Sequence, residues 1–530
     1  MASSSQHESG GSGCSLLAEF LVPGIGLFVG EALLSIAKLC QEMKENETLC
    51  HRVYERLQLI SEELAKITNT EMLHQNRVLF MYGDTIANFV KFLHKHLHKS
   101  LLKRLAGNRK VVQAIEEFHA DIDELYKLLN IVHVLEMAKW RREWEEDRAK
   151  QQADLMEILS NTQTLHAELH SQHLEEGLVM LRFELDHKSD KNSFEQMALM
   201  KKTLHKIVGV SRTKVPHTPE WFIPSDDVEF DLNVAFGGGL YGSVHRGMWG
   251  RGTQVVIKCL LMDDDTGKQI FLKETAIWAR LEHPHVLELF GACHVGTPAF
   301  FVCEDAVNGN FVDYLAKDKS EIWRLFFEAA LGLDYLHSEK VMHDNLKCRN
   351  LLVGGDGKAK ISDFGFSYFR SQAVGLNPHA HSNEIRWKAP ECLLPTEEAP
   401  SDDLSLRLAS DVFSFGMCII EAFTGEQPHS TLDEGEVVDM AIAGEMHGRP
   451  EGLKDDEWAF VQRLCHPKAE ERISLSAAID ELKLFADREE MTQRASSEDH
   501  VCPECGAETP VDFCFCGKCG FHFETNAGAA

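Results

Sequence analysis

The 530-residue chain contains no run of 18 or more apolar residues, the minimum for a membrane-spanning helix. Its longest candidate, Phe20 to Gly30, is bounded by Glu19 and Glu31 and broken by Pro23, Gly24, Gly26 and Gly30. Basic residues are in deficit: 54 Lys and Arg against 83 Asp and Glu leave a formal charge of −29. No nucleic-acid partner is therefore expected, because sequence-independent binding depends on cations neutralising phosphates. The first residues lack the basic start of a signal peptide. The 15 cysteines are thus expected to be mostly reduced thiols of a cytoplasmic protein, and close pairs of them read as metal ligands before disulfides. What is present is globular: 44% hydrophobic and 26% charged residues exclude wholesale disorder and collagen-like or mucin-like chains. The length predicts three to four domains, at roughly 150 residues each.

Residues 1–14 are rich in Ser, Gly and Gln and are expected to be disordered. From 15 to 206 apolar residues recur at helical spacing. Ile115, Phe118, Ile122, Leu125, Leu129 and Val132 form one stripe; Leu155, Ile158, Leu165 and Leu169, then Leu174, Leu178, Leu181 and Leu185, form a second with shifts of phase. The pattern predicts an α-helical bundle whose stripes are core. Pro216, Pro219 and Pro224 mark a linker over 207–225. Residues 226–487 begin with short β-rich runs and turn helical from about Ile322, which predicts a two-lobed α+β unit. A polar linker at 488–500, a cysteine-rich segment at 501–524 and a tail at 525–530 complete a multidomain chain.

Gly237, Gly239, Gly242 and Val244 fit G-x-G-x-x-G-x-V, in which missing side chains let backbone N–H groups approach phosphate oxygens. A glycine-rich hairpin turn explains such a match when it stands alone. Here Val255-Val256-Ile257-Lys258 follows on a predicted strand and places an ammonium near the α and β phosphates, with Glu274 on the next helix as its counter-charge. Further on come His343-Asp344-Asn345-Leu346-Lys347-Cys348-Arg349-Asn350, Asp363-Phe364-Gly365, Ala389-Pro390-Glu391, Asp411 and Arg472. In order and spacing this set resembles a protein kinase from Asp226 to Phe485. Trp278, Phe290-Gly291-Ala292-Cys293 and Trp387 look like the tyrosine-kinase-like group, and Lys347 is similar to the serine/threonine type.

The resemblance implies an ATP site. Lys258 and Glu274 would form the ion pair that fixes the phosphates, and Asn350 and Asp363 would hold Mg²⁺. Glu304 to Ala306 would form the hinge that accepts adenine, behind a small gatekeeper, Cys303. Glu391 and Arg472 would form a structural salt bridge, and Asp411 would brace the catalytic loop. The chain departs from the family where the pattern H-R-D-L-K-x-x-N reads His-Asp-Asn-Leu-Lys-Cys-Arg-Asn. The catalytic Asp has become Asn345, and a slip that substituted Asp344 would spoil the spacing to Lys347 and Asn350. An amide accepts a hydrogen bond but has no useful basicity near pH 7. Asp344 also replaces the Arg that would pair with a phosphorylated activation loop. Ser367, Tyr368, Ser371 and Ser382 lie in that loop and stand at background as phosphosites.

Both ends carry binding signals. Lys91, Lys95, Lys99 and Lys103 recur every four residues as if on one helix face, extended by Arg104, Arg109 and Lys110, while Leu93, Leu97, Leu101 and Leu105 line another face. A solvated surface explains the lysines; an anionic membrane surface, peripherally bound, is the functional alternative. Ala32 to Leu57, especially Asn46 to Val53, is similar to the start of the helical domain in mixed-lineage kinase domain-like proteins. In that family the bundle mediates oligomerisation and membrane attack, and a catalytically altered kinase domain is its switch. At the C-terminus Cys502, Cys505, Cys516 and Cys519 form two Cys-x-x-Cys knuckles that look like a zinc ribbon holding structural Zn²⁺. Cys514 is a competing ligand, and His522 is not required.

The leading reading is an intracellular signalling protein whose ATP-binding kinase domain is impaired in transfer and serves as a switch or scaffold. Two others stand beside it: a working serine/threonine kinase that tolerates Asn345, and a membrane-binding or oligomerising bundle regulated by the kinase-like domain.

Overall fold

The computed structural model describes residues 25–65, 77–129, 134–161, 174–211, 215, 217–239, 242–250, 252–260, 265–296, 298–364, 385–393, 404–497, 500–509 and 515–522. Outside them lie the expectations for residues 1–14 and 525–530, the Phe20–Gly24 part of the apolar segment, Val132, Leu165, Leu169, Gly365, the four loop hydroxyls and Cys514. The chain divides into two compact units, Met1–Glu220 and Trp221–Ala530. Among the described residues no helix is long and apolar enough to cross a membrane.

The first unit is helical: α1 (Ile25–Gln41), α2 (Glu47–Ala65), α3 (Arg77–Leu97), α4 (Leu101–Leu128), α5 (Val134–Ser160), α6 (Leu174–His187) and α7 (Phe194–Ser211). Its described residues form two apolar cores, and α4 is long enough to serve both. Val111, Ile115, Ile122 and Leu125 pack with Ile36, Leu57 and Phe89. Leu101, Leu102 and Leu105 at the other end pack with Leu155, Leu181 and Leu204. Helix α5 places Trp144 in the first core and Leu155 and Leu159 in the second, and adds polar contacts. Arg52 Nη1 donates to Glu143 at 2.6 Å and Arg52 Nη2 to Asp147 at 2.9 Å, while Gln151 donates to Asn46 and Asn108. Arg56 pairs with Asp123 and donates to His119 Nδ1 at 2.9 Å. Burial, then the Arg56 and Arg52 cations, push the His119 pKa down to about 3, so the imidazole is neutral and can accept that bond.

The four-lysine stripe does not exist as one helix face. Helix α3 ends at Leu97, and Ser100, with φ −61° and ψ 159°, is the extended N-cap residue of α4, its hydroxyl making no cap hydrogen bond. Lys91 and Lys95 therefore lie on α3, Lys99 between the helices and Lys103 on α4. Lys103 is committed to Glu176 at 2.7 Å, and Arg104 to Glu45 at 2.8 Å. Arg109 and Lys110 both face Glu184. The break likewise sends Leu93 and Leu97 into one core and Leu101 and Leu105 into the other.

The second unit opens with an antiparallel sheet of order β1-β3-β4-β6-β5, with β2 paired to β3. Its strands are β1 (Val228–Phe230), β2 (Gly237–Gly239), β3 (Gly242–Trp249), β4 (Thr253–Leu260), β5 (Leu289–Cys293) and β6 (Ala299–Cys303), with α8 (Asp265–Trp278) between β4 and β5. The helical part follows: α9 (Phe311–Leu315), α10 (Ile322–Ser338), the β7 (Leu351–Val353) and β8 (Ala359–Ile361) ladder, then α11 (Leu404–Thr424), α12 (Glu434–Ile442), α13 (Asp455–Leu464) and α14 (Leu475–Ser497). The last strands, β9 (His500–Val501) and β10 (Glu508–Thr509), form a small hairpin.

Three boundaries differ from the sequence expectation. Helix α7 runs past 206 to Ser211. The end of the expected 207–225 linker belongs to the sheet, because Ile223 N donates to Ala292 O and Ala292 N to Trp221 O, each at 2.9 Å. Gly291 permits this approach: a Cβ there would sit 2.3 Å from Trp221 O. Most of the expected 488–500 linker is helix α14, whose Glu489 carboxylate accepts from Trp323 N at 3.2 Å and Arg324 N at 3.0 Å. That carboxylate satisfies orphan donors in the first turn of α10.

Candidate active site

The site is assembled on one face of the sheet, across β2, β3, β4 and β6. β2 and β3 pair as a tight hairpin, Gly237 with Val244 and Gly239 with Gly242. Gly242 is required as glycine: at φ 154° a Cβ would stand 1.9 Å from Cys259 O. Antiparallel partners project to the same side of a sheet. The register Val244 to Lys258 to Phe301 therefore puts the Lys258 ammonium on the same face as Val244, and the next row is Arg246, Val256 and Cys303.

Lys258 Nζ pairs with the Asp363 carboxylate. Partial burial would raise the Asp363 pKa, but the Lys258 charge and hydrogen bond, then His343 and Lys347, outweigh it and hold the carboxyl below its usual range. Asp363 has φ 61°, and the chain then turns Phe364 inward, where its ring meets Trp278 edge-on at 5.5 Å and His343 at 6.4 Å. Trp278 is anchored in turn by Nε1 donating to Leu287 O at 2.9 Å. Helix α8 is thus packed against the Asp363 segment, with Glu274 half-buried one turn before Trp278.

Residues 343–350 are held from below. The Asp411 carboxylate, 1% exposed, accepts from His343 N at 2.8 Å, Asp344 N at 2.9 Å and His337 Nε2 at 2.9 Å. Asn350 Nδ2 donates to Asn345 O at 2.7 Å, and Ser362 N and Oγ donate to Asn350 O, each at 2.9 Å. This ties the loop to the segment bearing Asp363. Asp344 takes the left-handed conformation, φ 61°. Glu391 and Arg472 form a bidentate pair at 2.6 and 2.7 Å. The Arg472 guanidinium is 1% exposed, so Arg472→Met, which strands the carboxylate, is expected to cost about 3–5 kcal/mol. Urea unfolding of the full chain measures it.

The 303–306 segment continues from the end of β6. Cys303 is buried, and burial pushes its thiol pKa up. Glu304 N donates to Glu288 O at 3.1 Å, and its carboxylate meets Lys360 at 2.9 Å. Among the described residues the Ala306 N–H and the Glu304 C=O carry no intrachain hydrogen bond. An adjacent backbone donor and acceptor, left unpaired beside a buried row of the sheet, fit the edge of a purine. Sequence reasoning placed Asp305 inside the expected hinge but missed its pairing with Arg246. Arg246 Nε lies 3.3 Å from the largely buried Asp305 carboxylate, and its guanidinium sits 4.9 Å from the Phe236 ring. The pair joins the glycine-rich hairpin to the 303–306 segment, and the period-2 spacing from Val244 was its only signal.

A second cluster stands in the C-terminal segment. Cys502, Cys505, Cys516 and Cys519 bring four sulfurs within 4.8 Å of one another. Sγ atoms of Cys502 and Cys519 are 3.4 Å apart, and those of Cys505 and Cys516 are 3.5 Å apart. The two knuckles repeat one geometry: Gly506 N donates to Cys502 O and Gly520 N to Cys516 O, both at 2.8 Å, with φ 67° and 76° at the glycines. Four thiolates at about 2.3 Å from one tetrahedral ion would be roughly 3.8 Å apart, so the spacing fits zinc and is too long for an S–S bond of about 2 Å.

Residues 230–482 match the family model described as protein tyrosine and serine/threonine kinase. The chain is similar to Protein-tyrosine kinase 6 of Homo sapiens, 30% identical over 237 residues, 43% of this chain and 50% of that protein. It is similar to Tyrosine-protein kinase transforming protein Abl of Abelson murine leukemia virus, 27% identical over 310 residues, 57% of this chain and 38% of that one. It also resembles a Dictyostelium discoideum protein named "Probable serine/threonine-protein kinase", 32% identical over 223 residues, 41% of this chain and 23% of that one. The chain spans half or less of the length of these three relatives.

Proposed function

Residues 230–482 form a protein kinase domain, and we propose that it binds Mg-ATP but transfers phosphate poorly, acting as the nucleotide-dependent half of a signalling switch. Asn350 and Asp363 are the residues that would hold Mg²⁺, and the Ala306 N–H and Glu304 C=O would take the adenine. The metal, when bound, neutralises phosphate charge. Lys258 positions the phosphates, the glycine-rich hairpin covers them, and Asn345 orients a substrate hydroxyl through its amide oxygen.

The observation that carries the impairment is the register of residues 343–350. Asp411 grips His343 N and Asp344 N, and Asn350 grips Asn345 O. These bonds support Asn345, and not Asp344, as the occupant of the general-base position. Phosphoryl transfer is largely dissociative, so the base matters less than metal and phosphate positioning; its loss slows the reaction, while Lys258, Glu274, Asn350 and Asp363 remain to bind nucleotide. Trp278 and Trp387 support placement in the tyrosine-kinase-like group, the Trp387 indole donating to buried Glu421 at 2.9 Å. Burial, opposed by that bond and one from Cys348 N, leaves the Glu421 pKa raised.

The C-terminal segment is assigned a structural zinc on Cys502, Cys505, Cys516 and Cys519. The helical unit is assigned the protein-interaction half of the switch. A membrane role for it is weakened by the pairing of Lys103 with Glu176.

Binding is tested by melting the full chain with and without nucleotide. Mg-ATP at about 100 times its Kd is expected to stabilise by about 2.7 kcal/mol, and Lys258→Ala to lose most of that shift. Saturating Mg-ATP that leaves the melting unchanged would remove the nucleotide switch.

A further inference from the structure

Arg386 is 8% exposed and spends its guanidinium on neutral partners. Nη1 donates to Pro428 O at 3.3 Å and to His429 O, and Nη2 donates to Leu432 O at 2.8 Å. Nε is buried with no hydrogen-bond partner, and among the described residues no carboxylate pairs with this arginine. A buried cation compensated only by carbonyl dipoles is costly, and charge-assisted bonds to an anion are the strongest it can make.

The arginine lines a cavity of about 30 Å³ far along the chain from the glycine-rich hairpin, between the Ile385–Pro390 segment, α11, α12 and the turn after α13. Phe413, Met417, Val437 and Ala441 make its apolar wall, while Lys388, His429 and His447 add polar atoms. The His429 and His447 rings are 4.7 Å apart, and His429 is held at φ 53°, a left-handed backbone rare outside glycine. Burial, then His447 and Arg386, bring the His429 pKa down to about 4, so it is neutral. Glu445, which also lines the cavity, is exposed and makes no ion pair with the arginine. The space is large enough to admit small polar groups such as the oxygens of a carboxylate.

We propose that this cavity binds the carboxylate of an Asp or Glu side chain on a docked protein partner, with Arg386 Nε–H and Lys388 meeting its oxygens and the apolar wall its methylenes. The site is independent of nucleotide binding.

The test is fluorescence anisotropy on the full chain with three fluorescein-labelled peptides, otherwise identical and apolar, carrying one central Glu, Gln or phosphoserine. The Glu peptide should bind at least tenfold more tightly than the Gln peptide. Ala441→Trp, which fills the cavity, and Lys388→Met should each weaken it about tenfold with melting unchanged. Arg386 also clasps three carbonyls, so its own replacement is not the deciding variant; if Ala441→Trp misfolds, Lys388→Met decides alone. Equal binding of Glu and Gln peptides, no binding of any peptide at millimolar concentration, or indifference to the decisive variant would overturn the proposal. A tenfold preference for phosphoserine would overturn the carboxylate assignment.

Discussion

Asn345→Asp is expected to raise the phosphotransfer rate of the full chain by about 10²–10⁴-fold, the range for restoring a positioned acid or base. The carboxamide and carboxylate are nearly isosteric, and the bonds that hold the loop use backbone atoms at this position, Asn345 N to His343 Nδ1 and Asn350 Nδ2 to Asn345 O. The loop geometry therefore survives the exchange, and nucleotide affinity should change little. A radiolabelled phosphate assay with a generic acceptor protein, run beside wild type and Lys258→Ala, measures the effect. Equal and substantial activity in wild type and variant would favour a working kinase that tolerates Asn345. Equal inactivity would place a further block at Asp344 or beyond, since Asp344 puts negative charge where a phosphorylated loop would need a cation.

Removing zinc is expected to unfold the β9–β10 hairpin and both cysteine knuckles outright. The described residues of this C-terminal segment hold two strands of two residues each, and few of them are buried and apolar; a unit that small does not fold without a staple. Structural zinc supplies roughly 10–16 kcal/mol in peptides of this size, far more than any other contact there. Elemental analysis should find one zinc per chain, and Cys502→Ser with Cys519→Ser should release it. Chelation should abolish amide protection at Cys502, Gly506, Cys516 and Gly520, whose N–H groups bond within the knuckles, while leaving the kinase-domain melting transition in place. Carefully prepared protein without zinc, or knuckle amides that stay protected after chelation, would exclude the site.

Glycine spacing, the Lys258 strand, the 343–350 set and the two Cys-x-x-Cys pairs were legible because each is a local pattern whose chemistry depends on residue type and spacing alone. Strands followed by helices were legible as period 2 giving way to period 3.6, so the order of sheet and helices needed nothing from residues distant in the chain.

Tertiary structure decided what depends on residues distant in sequence. Four lysines at i, i+4 read as one face only while the helix is continuous; the extended Ser100 cap ends it, and Glu176, 73 positions after Lys103, takes up the last charge. Trp221 to Ile223 looked like linker because its hydrogen bonds go to Ala292, and only the absent side chain of Gly291 makes room for them. Lys258 meets Asp363, 105 residues away. Arg246 with Asp305, and Arg386 above its cavity, carry no motif at all. A sequence states which groups are available, but the burial that makes a charge costly and the partner that offsets it are both set by packing.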